Sequence, residues 1–230
     1  MFENPAPHPA PANEREATIL TERILPKRVV PIAVIDSVGH AVPLANALAS
    51  AGLDIIEVTL RTQSALDCIR EIRRGVPQML VGAGTILEVE QVHAAMEAGA
   101  EFGVSPGLND VVVQAAQRAG LPFIPGVMTP TEVERALALG SRLLKFFPAD
   151  VAGGMNMLKA WNGPYAHTGV KFIPLGGINA ANAPQYLALP NVAAVGGSWI
   201  ADRKLIAAGD WKTIRSLAAD ALAVAKPKTD

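Results

Sequence analysis

DIIEVTLRTQSALDCIREIRR, residues 54–74, contains the unit from which the fold is built. Its first part, DIIEVTL at 54–60, is rich in β-branched residues and reads as a strand; ALDCIREIRR spaces its apolar side chains for one face of a helix. The same alternation recurs on both sides. Strands are expected at 29–35 (VVPIAVI), 54–60, 79–84 (MLVGAG), 101–105 (EFGVS), 122–127 (PFIPGV), 142–147 (RLLKFF), 170–175 (VKFIPL) and 192–197 (VAAVGG), with helical stretches such as LEVEQVHAAMEA between them. Eight strand–helix units in succession predict an α/β protein whose parallel sheet closes into a (β/α)8 TIM barrel. An open doubly wound sheet is the competing architecture, and it is weakened by the lack of a G-x-G-x-x-G fingerprint.

The chain's 230 residues, 50% hydrophobic and 18% charged, suffice for one large core, so a single barrel domain is expected over 14–230. Residues 1–13, MFENPAPHPAPAN, are too rich in proline and alanine to build a core and read as a flexible tail. Residues 14–25 carry a helical pattern stopped by Pro26, which predicts an extra N-terminal helix plugging one end of the barrel or packing beside it. A net charge of −1 with dispersed basic residues gives no footprint for nucleic acid. No apolar run reaches the roughly 18 residues of a membrane span, and the start lacks a leader pattern, so the protein is expected to be soluble and cytoplasmic. The single cysteine, Cys68, lies within a helical pattern and fits a reducing compartment, as buried filler rather than a reactive thiol.

In a barrel of this type chemistry belongs at the carboxyl ends of the strands. There the sequence is unusually polar. Glu57, Thr59 and Arg61 alternate along one strand and share a face; Thr85 follows Gly82-Ala83-Gly84, and Pro106 follows Ser105. The stretch RLLKFFP, 142–148, sets Lys145 in the middle of an apolar strand. Burial disfavours the ammonium form of a lysine and frees the amine as a nucleophile, which suits Schiff-base chemistry; a lysine snorkelling to water is the plainer reading. The last two strands end in Gly176-Gly177 and Gly196-Gly197-Ser198. Glycine pairs at these two positions let backbone N–H groups approach a phosphate, with Ser198 adding a hydroxyl donor, although either pair alone could serve only a tight turn.

The strings EVTLRT, VGAGT, SPGL, KFFPA, GGI and GGSW, in this order, resemble those of the 2-keto-3-deoxy-6-phosphogluconate (KDPG) and 4-hydroxy-2-oxoglutarate (KHG) aldolase family, from about Val29 to Ala225. The resemblance implies a class I lyase of the Entner–Doudoroff pathway, without cofactor or metal, that releases pyruvate from a phosphorylated keto-deoxy sugar acid, and a homotrimer. It implies Lys145 as the Schiff-base nucleophile and Glu57 as general acid/base. Arg61 and Thr85 would hold the pyruvate end, Pro106 and Phe147 would shape the pocket, and Gly176, Gly177, Gly196, Gly197 and Ser198 would bind phosphate. Chemistry agrees for the pair, since an iminium is an electron sink and a carboxylate can shuttle the required protons; a purely structural Glu57–Arg61 salt bridge is the alternative. One position departs from the family pattern. Leu175 stands where the phosphogluconate enzymes resemble one another in having threonine and the phosphogalactonate aldolase has an apolar residue, which predicts relaxed discrimination at C4.

Two other classes compete. A metal-dependent aldolase would need clustered ligands, and His8, His40, His93 and His167 show no such spacing. A phosphosugar isomerase or a non-catalytic phosphate-binding barrel would share the glycine pairs and use Lys145 only as a charge.

Overall fold

The computed structural model describes residues 19–225. The strands are β1 (Val29–Ala33), β2 (Ile55–Thr59), β3 (Leu80–Gly84), β4 (Phe102–Val104), β5 (Phe123–Ile124), β6 (Gly126–Val127), β7 (Leu143–Phe146), β8 (Lys171–Pro174) and β9 (Val195–Gly197). All pair in parallel, in the orders β5-β4-β3-β2-β1-β9 and β6-β7-β8. Helices follow every strand except β5, which runs directly into β6, so this is an α/β fold with a strongly curled parallel sheet around one core.

The eight expected strands are all found, six of them shortened by a residue or two at one or both ends and two changed more. The strand expected over 122–127 is divided by Pro125, which has no N–H for the ladder, although its carbonyl still accepts from Lys145 N at 2.9 Å. The strand expected over 192–197 begins at Val195. Its earlier residues meet β8 only through the Phe172–Val192 bridge, with Phe172 N donating to Asn191 O at 2.8 Å and Ala193 N to Phe172 O at 3.0 Å.

Local chemistry places the helices. The 65–75 helix buries Ala65, Cys68, Ile69 and Ile72, the one-sided spacing of an amphipathic segment, and Cys68 is a free, buried thiol whose pKa is raised by that burial. Thr129 and Glu132 form a reciprocal capping box at the start of the 130–138 helix. Of the N-terminal helix expected over 14–25, residues 14–18 and the preceding tail 1–13 lie outside the described residues. The described part, Ile19–Ile24, is a short π-helical segment rather than an α-helix. Arg23 donates from it to the carbonyls of Asp54 at 3.3 Å and Gln78 at 2.8 Å, just ahead of β2 and β3, so it packs at the amino-terminal end of the sheet.

Inside the curl, Val30, Ile32, Phe102, Val104, Ile124 and Ile173 converge from four strands on a void of only about 10 Å³. Close packing here depends on missing side chains. A Cβ on Gly126 would lie 2.2 Å from the Pro106 carbonyl oxygen, a backbone atom that cannot swing aside. Gly126→Ala is therefore expected to destabilise the protein by about 1–3 kcal/mol, the usual cost of overpacking, read as a lower denaturation midpoint; an unchanged midpoint would contradict the packing described.

Candidate active site

The carboxyl ends of the strands surround a cavity of about 190 Å³. Lys145 enters from β7, where it stands in register with Gly126 and Ile173; Glu57 enters from β2, between Ile32 and Gly82. Both are buried, with 6% and 2% of their surface exposed. Lys145 Nζ lies 3.8 Å from Glu57 Oε1 and 5.1 Å from the centre of the Phe147 ring. The separation is that of an ion pair longer than a hydrogen bond, and Oε1 has no hydrogen-bond partner. Burial pushes the Glu57 carboxyl above its usual range, opposed by the pull of the Lys145 charge.

The sequence alternative of a structural Glu57–Arg61 bridge is not what forms: Glu57 pairs with Lys145, and Arg61 has no salt bridge among the described residues. Arg61 is exposed at the cavity rim. Its loop is fixed by the hydroxyls of Thr62 and Ser64, which each donate to Ile35 O at 2.8 Å. Thr85 also lines the cavity, with φ 61°, a left-handed conformation that is a genuine outlier for a β-branched residue. It is held between two tethered neighbours, Leu60 N donating to Gly84 O at 2.8 Å and Ile86 N to Val104 O at 3.1 Å. Strain of this kind, about 1–3 kcal/mol, persists where the surroundings over-determine the backbone.

Pro106, Phe147, Gly176, Gly196, Gly197 and Ser198 complete the predicted residues on the cavity wall. Gly177 does not line it. It is exposed beside Asp150, whose Cβ would lie 2.4 Å from an added Cβ, and its φ of 79° marks a turn-forming role. The Gly176 and Ser198 N–H groups make no hydrogen bond to described residues, and both residues line the cavity. Leu175, expected near C4 of the substrate, lines the wall, as do Thr59, Ile32 and Val34, which were not predicted as site residues. Thr59 carried a usable signal, its place between Glu57 and Arg61 in the sequence alternation; Ile32 and Val34 carried none that separates a wall from a core. No group of histidine, cysteine or carboxylate side chains among the described residues could hold a metal ion.

A family model described as KDPG and KHG aldolase matches residues 20–217. The chain belongs to the KDPG and KHG aldolase family. It is accordingly a lyase of the aldolase type, with class I chemistry. The KHG/KDPG aldolase of Escherichia coli strain K12 is 44% identical over 198 residues, 86% of this chain and 92% of its own length. The 2-dehydro-3-deoxy-phosphogluconate aldolase of Haemophilus influenzae is 41% identical over 207 residues, 90% of this chain and 97% of its own. A solved structure of KDPG aldolase from Legionella pneumophila, with pyruvate captured at low pH as a covalent carbinolamine intermediate, superposes with a TM-score of 0.84 at 40% identity, covering 90% of this chain and 97% of that one.

Two expectations follow from the geometry. A Cβ on Gly84 would sit 2.0 Å from Glu57 Oε1, so Gly84→Ala displaces the carboxylate. It is expected to lower kcat for aldol cleavage by about tenfold or more, because small misplacements of a reacting group are costly, while circular dichroism shows the fold retained; an unchanged kcat would contradict the assigned contact. Because the Glu57 pKa is raised, its carboxylate form is lost as pH falls through that raised value. The acid limb of kcat/KM is expected above the ordinary glutamate value of about 4.3; a limb at or below it would count against Glu57 as the base.

Proposed function

We propose that this cavity cleaves 2-keto-3-deoxy-6-phosphogluconate to pyruvate and glyceraldehyde 3-phosphate, with Lys145 as the Schiff-base nucleophile and Glu57 as the proton carrier. The observation that carries the reading is the buried Lys145–Glu57 pair at 3.8 Å, opening on a cavity that also holds Arg61. The Lys145 amine adds to the C2 ketone to give a carbinolamine, and loss of water gives the iminium. Glu57 takes the proton of the C4 hydroxyl; the C3–C4 bond breaks, its electrons pass into the enamine, and the aldehyde leaves. A proton returned to C3 and hydrolysis of the iminium release pyruvate and restore the amine.

Arg61 and Thr85 are assigned to the substrate carboxylate, where a guanidinium fork matches two oxygens. Pro106 and Phe147 shape the wall beside the nucleophile. Gly176, Gly196, Gly197 and Ser198 are assigned to the phosphate, which neutral N–H and O–H donors bind without a cationic side chain. Gly177 shapes that turn rather than contacting the ligand. No cofactor or metal enters this chemistry. Leu175 on the cavity wall favours a second substrate, the C4 epimer 2-keto-3-deoxy-6-phosphogalactonate, because a leucine offers no hydrogen bond with which to discriminate the C4 hydroxyl. The shorter 4-hydroxy-2-oxoglutarate is a further substrate on this reading.

The curled sheet is read as a closed (β/α)8 barrel over 14–230. The cyclic strand order, with β5 and β6 continuous through Pro125 and the Phe172–Val192 bridge at the other seam, supports it. A homotrimer in the cytoplasm is part of the proposal. Exposed Leu87, Val111, Met128 and Val151, all following strands at the cavity end, supply apolar surface for self-association. No described helix is long and apolar enough to cross a membrane.

Lys145→Arg keeps the charge and removes the usable nucleophile. It is expected to abolish pyruvate release from 2-keto-3-deoxy-6-phosphogluconate; substantial residual release would contradict Lys145 as the Schiff-base nucleophile.

A further inference from the structure

We propose that the exposed ion pair between Asp36 and Arg203 is a positioning device for substrates held at both ends, fixing the Ser198 turn relative to Arg61. This rests on the aldolase reading above and extends it to residues outside the cavity. β1 lies between β2 and β9 in the sheet, and hence between the strand that leads to Arg61 and the strand that leads to Ser198. Beyond Ala33 the β1 chain continues through Val34, which lines the cavity, to Ile35 and Asp36. These last two residues tether opposite sides. The Ile35 carbonyl accepts from the Thr62 and Ser64 hydroxyls at 2.8 Å each, which holds the loop behind Arg61. The Asp36 carboxylate accepts from Arg203 Nε at 2.8 Å and Nη2 at 2.7 Å, a fork that fixes orientation as well as distance.

Arg203 opens the helix Arg203–Ala208 directly after the turn that begins at Ser198. Within that turn Ile200 and Ala201 are fully buried, and Asp202 caps the helix by accepting from Lys204 N at 2.8 Å. The turn therefore moves as one piece with Arg203. Exposed ion pairs contribute little to stability, so the consequence of this one is geometric: it sets the reach from the carboxylate end to the phosphate end over Lys145. Pyruvate occupies only the Arg61 end and does not sense that reach. A substrate carrying both groups does.

The test compares Arg203→Ala, Asp36→Ala and the charge-swapped double variant Asp36→Arg/Arg203→Asp with the unmodified protein in two assays. The first is KM for cleavage of 2-keto-3-deoxy-6-phosphogluconate; the second is exchange of the pyruvate C3 protons with solvent. Each single variant is expected to raise KM by about 3–10-fold, the scale open to one oriented ion pair, with pyruvate exchange unchanged and with partial recovery in the swap. An unchanged KM, an equal loss in both assays, or a swap no better than the single variants would overturn the proposal. Failure of the unmodified protein to exchange pyruvate protons would instead remove the aldolase reading, and this proposal with it.

Discussion

The constraint on which the structure depends is the burial of two opposite charges, Lys145 and Glu57, on the inner face of a parallel sheet whose other inward side chains are largely apolar. Taking charges out of water is costly unless each is compensated, and this pair is compensated only in part: the contact is 3.8 Å and Glu57 Oε1 has no hydrogen-bond donor. An arrangement made for stability alone would be poor. It is well suited to chemistry, because an amine not tied to its neighbour can attack a carbonyl, and a carboxyl raised above its usual pKa can both take and return a proton.

The fold maintains that arrangement by leaving side chains out where the pair needs room. Gly84 on β3 makes way for the Glu57 carboxylate, and Gly126, in register with Lys145, makes way for the Pro106 carbonyl. Below them Phe102, Val104 and Ile173 pack with almost no free volume, so the pair has a dry floor and an open mouth. Strain is placed at the same rim, in the left-handed Thr85. Together these features separate a rigid interior from a lining that can meet a ligand.

Much of this was legible in the sequence because it is written in short-range patterns. Short β-branched and apolar runs located every strand, and the polar residues interrupting or ending them at Glu57, Arg61 and Lys145 do share one cavity. What was not legible depends on contacts between distant segments. The division of one strand at Pro125 could be suspected from the missing N–H, but the start at Val195 follows from where the segment pairs with β1, beginning at Val29, while its earlier residues meet β8 only through a single bridge. Gly177 reads like its neighbour Gly176 in sequence, yet the Asp150 side chain and a positive φ turn it out of the cavity. Likewise no local pattern reveals that Ile32 and Val34 form its wall, or that Arg203 reaches back to Asp36. Partner choice for Glu57 was also ambiguous, with Arg61 four residues away on the same strand; only the register of β2 and β7 around the curl selects Lys145.

The most direct test of the central claim is borohydride reduction of the protein in the presence of pyruvate, followed by peptide mapping. The expected result is one stable adduct per chain, located on Lys145, with no other lysine modified. Retained cleavage of the keto-deoxy acid with no adduct, or an adduct on a different lysine, would contradict the account.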